Sequence, residues 1–195
     1  AFQLDDALRN APHTLSDETE ATLAYFSQSF GSPSSIYGMV SNSDIPWPEV
    51  ELSTGEKGIV DSQGYSRFRG SSNRDDRKLV FNAFWGKWDE YRNSVGTIMN
   101  AHLQTQVALA KARKYDSVLH RELFQDNLPP EVYHTLVAEV NKGLPTLHRY
   151  FKLRQRMLGL DQLHYYDLYP PLVSLDKTFD IETSKKLTLD AMAVL

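Results

Sequence analysis

The stretch from residue 72 to residue 114 constrains the fold more than any other part of the sequence. Ser72 or Asn73 can cap a helix here, and two aspartates follow in the first turn, where carboxylates complement the helix dipole. Apolar side chains then recur at spacings of three and four, on one helix face: Phe81, Phe84, Trp88, Tyr91, Val95 and Ile98. The pattern predicts one helix ending near Lys114, with Gly96 as a weak point that costs about 1 kcal/mol relative to alanine.

Weaker patterns predict the elements on either side of this helix. A helix is expected from residue 16 to residue 30, and the Gly-Ser-Pro sequence that follows should end it and lead into an irregular stretch. Two short alternating runs around a Gly-containing turn at 54–58 predict a β-hairpin. Pro130 fits the first turn of a further helix, which Pro145 should kink and Gly159 should end. The predicted fold is mainly α, with long antiparallel helices and one small β-hairpin.

The composition narrows the classes of function. The net charge is -4 and the pI about 5.9, which argues against nucleic acid and anionic membranes as partners. Cysteine is absent, so disulfides, thiolate metal sites and cysteine nucleophiles are excluded. No apolar run approaches the roughly 18 residues that a membrane span needs, and no secretion signal is visible, so we expect a cytoplasmic protein. The start without Met and the apolar, helix-favouring end suggest a piece of a longer protein.

The common catalytic motifs are missing from the sequence. None of the six histidines is followed by Glu, so there is no His-Glu-x-x-His zinc motif. There is also no Gly-x-Ser-x-Gly elbow and no Gly-rich phosphate loop. His164 and Asp167 are three positions apart and could face together. They are either a structural hydrogen-bonding pair or a ligand or catalytic pair.

Two basic clusters are candidates for binding. In the first, aromatic residues alternate with Arg67, Arg69, Arg74 and Arg77. It could bind single-stranded nucleic acid, but the acids at 61, 75 and 76 are expected to pair with the arginines instead. In the second cluster, helical spacing places three cations on one face, and no acid lies between residues 139 and 161: Arg149, Lys152 and Arg156. This face is either solvated or attracts carboxylates such as peptide ends.

A family resemblance rests mainly on "GLPTLHRYFKLRQRMLGLDQLHYYDLYPPLV" at 143–173. This segment resembles the start of the catalytic domain of oligoendopeptidase F, a zinc metallopeptidase of the M3 family. The residues at 82–136, which include "ARKYDS" and "LFQDNLPP", are similar to the helical N-terminal domain of that family. The stretch "LDDALRNAPHTLSDETE" at 4–20 resembles the beginning of the same domain.

The resemblance implies a mostly α-helical fragment of a larger metallopeptidase that cleaves oligopeptides inside a channel. Residues 1–125 would be the N-terminal helical domain, and residues 126–195 the beginning of the catalytic domain. The family's zinc-binding motif lies downstream of the matched region, so no catalytic residue and no zinc ligand is placed on this chain, and zinc is expected only in the parent protein. The chain would form part of the channel wall and would contact the remainder of the catalytic domain.

Five residues are predicted to contact the peptide: Tyr165, Tyr166, Arg149, Lys152 and Arg156. The Tyr-rich stretch at 163–172 is otherwise expected to be a joint between domains, because tyrosine combines an apolar body with a polar tip. The fragment alone should be inactive. A different class of function also fits the sequence, namely a non-catalytic helical module that binds peptides or proteins.

Overall fold

A computed structural model describes residues 2–173 and 179–193. The described part is mainly α-helical with one β-hairpin, which confirms the predicted fold class. The helices are α1 (Phe2–Asn10), α2 (Asp17–Tyr25), α3 (Ser27–Met39), α4 (Ser62–Phe68), α5 (Arg74–Glu90), α6 (Arg92–Ala112), α7 (Val118–Gln125), α8 (Pro130–Met157) and α9 (Ile181–Met192). Short 3-10 helices occupy Ala11–His13 and Tyr165–Asp167, and a π-helical turn occupies Val40–Asp44.

The predicted hairpin is present and consists of β1 (Glu49–Glu51) and β2 (Lys57–Ile59). The strands are antiparallel, with Val50 opposite Gly58. Gly55 has a φ of 81°, a left-handed conformation that glycine adopts without steric cost, and this explains why the turn needs it. A Cβ at Gly58 would overlap the ring of Phe68, so a glycine is needed there for α4 to pack on the hairpin.

The core lies between the hairpin, α4 and α5. It is built from seven buried side chains: Val50, Leu52, Val60, Tyr65, Phe68, Val80 and Phe84. Trp47 stacks on Phe84 at a ring distance of 5.3 Å, and Tyr65 stacks on the same ring at 4.3 Å. This aromatic packing holds α5 rigidly, and α5 in turn carries the arginines described below.

The long helix predicted from residue 72 to residue 114 is two helices. Asn73 caps α5, because its side chain accepts a hydrogen bond from the N–H of Asp75. At Tyr91 the backbone N–H bonds to the carbonyl of Trp88, three residues back, and the helix is interrupted before α6 begins. The two helices pack on different neighbours, α5 on α4 and α6 on α3. Gly96 lies inside α6 as expected.

The predicted break at residues 31–33 is wrong. Helix α2 ends earlier, at Tyr25, and α3 runs through Gly31 and Pro33. Pro33 is buried, and it lines a groove between α3 and α6 together with Ile98. Tertiary packing against α6 therefore outweighs the poor helix propensity of the Gly-Ser-Pro sequence.

The long helix α8 begins at Pro130, as predicted, and remains helical through Pro145. It ends at Met157, where Gly159 adopts a φ of 64° and lets the chain turn away. Ser117 caps the preceding α7, and Asp180 caps α9. No helix in the described ranges is both long enough and apolar enough to cross a membrane.

Candidate functional site

A buried carboxylate fixes the Tyr165–Asp167 turn against the N-terminal end of α5. The side chain of Asp167 has no solvent-exposed surface. It accepts hydrogen bonds from Nε and Nη2 of Arg74, at 3.1 Å and 3.0 Å, and from Nη2 of Arg77 at 2.9 Å. The backbone N–H of His164 donates to it at 3.0 Å and so closes the start of the turn. Both carboxylate oxygens are therefore occupied by donors from within the chain.

Arg77 ties the same turn to the loop before α5. Its side chain is only 3% exposed. Besides its bond to Asp167, it donates to the carbonyl of Tyr166 at 3.1 Å. It also donates to the carbonyls of Ser71 and Ser72, at 2.9 Å and 3.0 Å. A single guanidinium thus joins three segments of the chain.

The end of α8 is fastened to the turn by Arg154, which is buried. Its Nε donates to the backbone carbonyl of Asp167 at 2.8 Å, and its Nη2 donates to the carbonyl of Pro170. Its Nη1 donates to the hydroxyl of Tyr150 at 3.2 Å. We call the three arginines at 74, 77 and 154, together with Asp167, the arginine clamp. It connects α5, α8 and the Tyr-rich segment.

The clamp determines the ionisation of Asp167. Burial raises the pKa of this carboxyl, but hydrogen bonds from Arg74, the His164 N–H and Arg77 lower it by more, so the pKa lies at about 2. Asp167 is therefore ionised at neutral pH and balanced by arginine. Of the two roles open to the His164 and Asp167 pair, this arrangement favours the structural one. The contact runs through the backbone of His164, while its ring stacks on Tyr166 at 5.1 Å.

Two of the three acids expected to pair with the first basic cluster bind other partners. Asp61 caps α4 by accepting from the N–H of Gly64 at 2.8 Å. Asp76 accepts from the backbone and the hydroxyl of Ser53, both at 2.8 Å, and so ties α5 to the hairpin. The predicted pairing is wrong for these two acids, because the arginines at 74 and 77 reach Asp167 instead.

The two predicted tyrosines lie beside the clamp. Tyr165 is 52% exposed, and its hydroxyl accepts from Tyr169 at 2.9 Å. Tyr166 is partly buried between the rings of His164 and Phe81, the latter at 5.8 Å. Tyr165 therefore presents its ring and hydroxyl to solvent, whereas Tyr166 is mostly packed.

The structure brings the three predicted cations of α8 together on the rim of an open groove. Its lining includes Tyr150 and Leu153 along with Arg149, Lys152 and Arg156. Arg154, which faces the Tyr-rich segment, is turned about 200° away from Lys152 on a helix of 3.6 residues per turn. The cations thus face away from Tyr165 and Tyr166, and the five predicted residues do not form one site within the described ranges.

Two important arginines escaped the sequence analysis. Arg154 was not singled out because it lies in the sequence among the exposed cations of α8. It nevertheless follows Leu147 by seven residues and Phe151 by three, which places it on the predicted apolar stripe. A charged residue in line with an apolar stripe indicates burial with a partner. Arg69 was seen only as a member of a basic run, and its position depends on Tyr169, a hundred residues away.

Metal binding was tested on the residues themselves. The described residues contain no group of three or more His, Asp or Glu side chains that could hold a metal ion. Asp167 is saturated by arginine and backbone donors, so it does not fit a zinc ligand. We therefore derive no zinc-dependent step for this chain.

Comparison with protein families decides the classification. A model of peptidase family M3 matches residues 68–192, more than half of the chain. The chain belongs to peptidase family M3. An Oligopeptidase F model matches residues 1–46 of this M3 chain, which confirms the predicted resemblance. The domain boundary at residue 125 stays a prediction.

Individual relatives agree with the M3 assignment. Oligopeptidase PepF of Bacillus subtilis is 35% identical over 87% of the chain, and Group B oligopeptidase PepB of Streptococcus agalactiae is 32% identical over 95%. The crystal structure of oligoendopeptidase-F from Enterococcus faecium matches 98% of the chain with a TM-score of 0.86 and 31% identity. A putative peptidase from Chlamydophila abortus matches 98% with a TM-score of 0.88 and 28% identity. The M3 chain spans 25% and 31% of the two curated relatives, and 36% and 32% of the two solved chains.

Proposed function

We propose that this chain is the N-terminal part of a zinc-dependent oligoendopeptidase that hydrolyses short peptides, and that it walls part of the substrate channel. The observation that carries the proposal is the match of nearly the whole chain to about a third of oligoendopeptidase-F from Enterococcus faecium. Identity of 31% supports a shared function as well as a shared fold.

The exposure of α8 supports a role as a wall within a larger protein. Its apolar side chains at several positions are between 42% and 60% exposed: Val132, Tyr133, Leu136, Val137, Val140, Leu147, Tyr150, Leu153 and Met157. Apolar surface of this extent on one helix normally packs against other protein. We assign this surface to contact with the remainder of the catalytic domain.

The proposal gives the predicted site residues two separate tasks. Tyr165 and Tyr166 contact the peptide on the side of the arginine clamp. The cations of α8 attract carboxylates from the opposite side of the helix, because they are exposed and pair with no acid within the described ranges: Arg149, Lys152 and Arg156. Zinc and the hydrolytic step are assigned to other parts of the parent protein.

The reading frame that encodes this chain provides the decisive test. We expect it to continue into a His-Glu-x-x-His motif. We expect its full product to cleave internally quenched oligopeptides, to lose activity with a chelator and to regain it with zinc. The 195-residue chain with added zinc should not cleave the same peptides.

The contrary outcomes point to the other class of function. A reading frame that stops after Leu195, with a product that binds peptides without cleaving them, would establish the non-catalytic binding module. Zinc-dependent cleavage by the 195-residue chain alone would overturn the placement of the chemistry outside it.

A further inference from the structure

Arg69 is held in a fixed position by aromatic rings. Its guanidinium carbon lies 3.9 Å from the ring centre of Tyr169 and 5.6 Å from that of Tyr65. The side chain is partly buried, and Arg69 directly follows the last residue of α4. A guanidinium stacked on an aromatic face is preorganised, because fewer side-chain rotations remain to be lost when it binds a ligand.

The neighbouring arginines are all engaged by carboxylates, and Arg69 is not. Arg67, two residues earlier, pairs with Glu56, and both arginines at the start of α5 pair with Asp167. Within residues 2–173 and 179–193, the Arg69 side chain forms no ion pair and no hydrogen bond. Its five N–H donors therefore border solvent while its face is stacked.

A second donor borders the same tyrosine ring. The hydroxyl of Tyr169 donates to that of Tyr165 at 2.9 Å, which leaves the Tyr165 O–H to donate to another group. Burial, together with the hydrogen bond to Tyr165, raises the pKa of Tyr169 to about 12. The raised pKa agrees with the Tyr169 O–H as the donor of this hydrogen bond. Tyr165 is half exposed, and its O–H donates to no acceptor within the described ranges.

We propose that Arg69 and the hydroxyl of Tyr165 form a binding site for a carboxylate of the oligopeptide substrate. The inference rests on the proposed peptidase function and adds a specific group that the peptide must carry. A carboxylate matches the forked donors of a guanidinium and also accepts from a phenol, and such charge-assisted bonds are stronger than neutral ones. The carboxylate is either the C-terminus of the peptide or an acidic side chain.

Paired peptides test the site in the product of the complete reading frame, with a chelator present so that binding is measured without cleavage. Fluorescence anisotropy compares a labelled peptide with a free C-terminus, its C-terminal amide, and versions with internal Glu or Gln. The wild-type protein should prefer one acid over its neutral partner by about 10-fold or more. Arg69→Gln should remove that preference. Arg67→Gln is the matched control and should keep it.

A second variant keeps the test decisive if Arg69→Gln fails to fold, as judged by circular dichroism. Tyr165→Phe retains the ring and removes the hydroxyl, and it should reduce the preference several-fold. An unchanged preference in the folded variants would overturn the inference, as would an equal loss of affinity for the acid and neutral peptides. Failure of the proposed function looks different, because the wild-type protein would then bind neither member of any pair.

Discussion

The carboxylate of Asp167 accepts a hydrogen bond from Arg77 at 2.9 Å, although the two residues lie 90 positions apart in the sequence. Both side chains are almost completely buried. The pair fastens the turn after α8 to the first turn of α5. Since a buried charge without its partner is strongly unfavourable, the contact makes each residue indispensable to the other.

Replacement of Asp167 by asparagine should destabilise the protein by about 3–5 kcal/mol, because Arg77 would lose its counter-charge inside the fold. The free energy of unfolding in urea measures the effect. Asp75→Asn is the control, since Asp75 is exposed in the same first turn of α5. Equal losses in the two variants would show that the buried pair has no special importance.

The same carboxylate predicts a pH dependence. The pKa of Asp167 is about 2 in the folded protein, below the ordinary 3.8, so the folded state favours the ionised form. Its contribution of about 2 kcal/mol is therefore complete above roughly pH 5 and is lost as the pH falls towards 2. Urea unfolding at several pH values should show the difference between wild type and Asp167→Asn shrinking over this range. A difference that stays constant down to pH 2 would contradict the assignment.

The carboxylate of Asp76 should be required to hold the hairpin against α5. Asp76→Ala leaves the backbone N–H and hydroxyl of Ser53 without their acceptor, at a cost of about 1–3 kcal/mol. Amide hydrogen exchange should accelerate at Ser53. The amides in the middle of α6 serve as the internal reference, and comparable acceleration there would mean global rather than local loosening.

Two glycine substitutions should have opposite effects. A Cβ at Gly64 would collide with the backbone carbonyl of Ile59, so Gly64→Ala should destabilise the junction between β2 and α4. A Cβ at Gly96 would meet no atom of the described residues within 4 Å, so Gly96→Ala should stabilise α6 by about 0.5–1 kcal/mol. Thermal unfolding followed by circular dichroism compares the two. A stabilised Gly64→Ala protein would contradict the packing described at this junction.

Substitution of the three exposed cations of α8 should affect the stability of the protein much less than substitution of Arg154. The exposed side chains of Arg149, Lys152 and Arg156 should each tolerate glutamine with a change within about 0.5 kcal/mol. Arg154→Gln should cost several times more, since buried carbonyls of Asp167 and Pro170 lose their charged donor. Urea unfolding of the four variants tests this, and a large loss for Lys152→Gln would show that the face is packed.

Local sequence patterns predicted much of the fold because helix caps, helix ends and turns depend on neighbouring residues. The cap at Asn73, the Gly159 stop and the hairpin turn each depend on residues within a few positions. The continuation of α3 through Pro33 could not be predicted in this way, because packing against α6 stabilises it. The tertiary contact outweighs a local preference of a few kcal/mol.

The candidate site depends even more on contacts between residues that are far apart in the sequence. Helical spacing predicted correctly that Arg149, Lys152 and Arg156 gather on one face. Nothing in the sequence says that Arg77 and Asp167 meet, since charge pairing over 90 positions depends on how α5 and α8 pack. The stacking of Arg69 on Tyr169 is another such contact.

The arginine clamp also governs how the Tyr-rich segment can come loose. Its guanidinium groups bind both the carboxylate and the backbone carbonyls of a few consecutive residues, so partial release would leave a buried charge without all of its partners. We therefore expect the Tyr-rich segment to detach rarely, and in one concerted step. The aromatic hydroxyls carried by this segment are therefore displayed in one geometry for most of the lifetime of the folded protein.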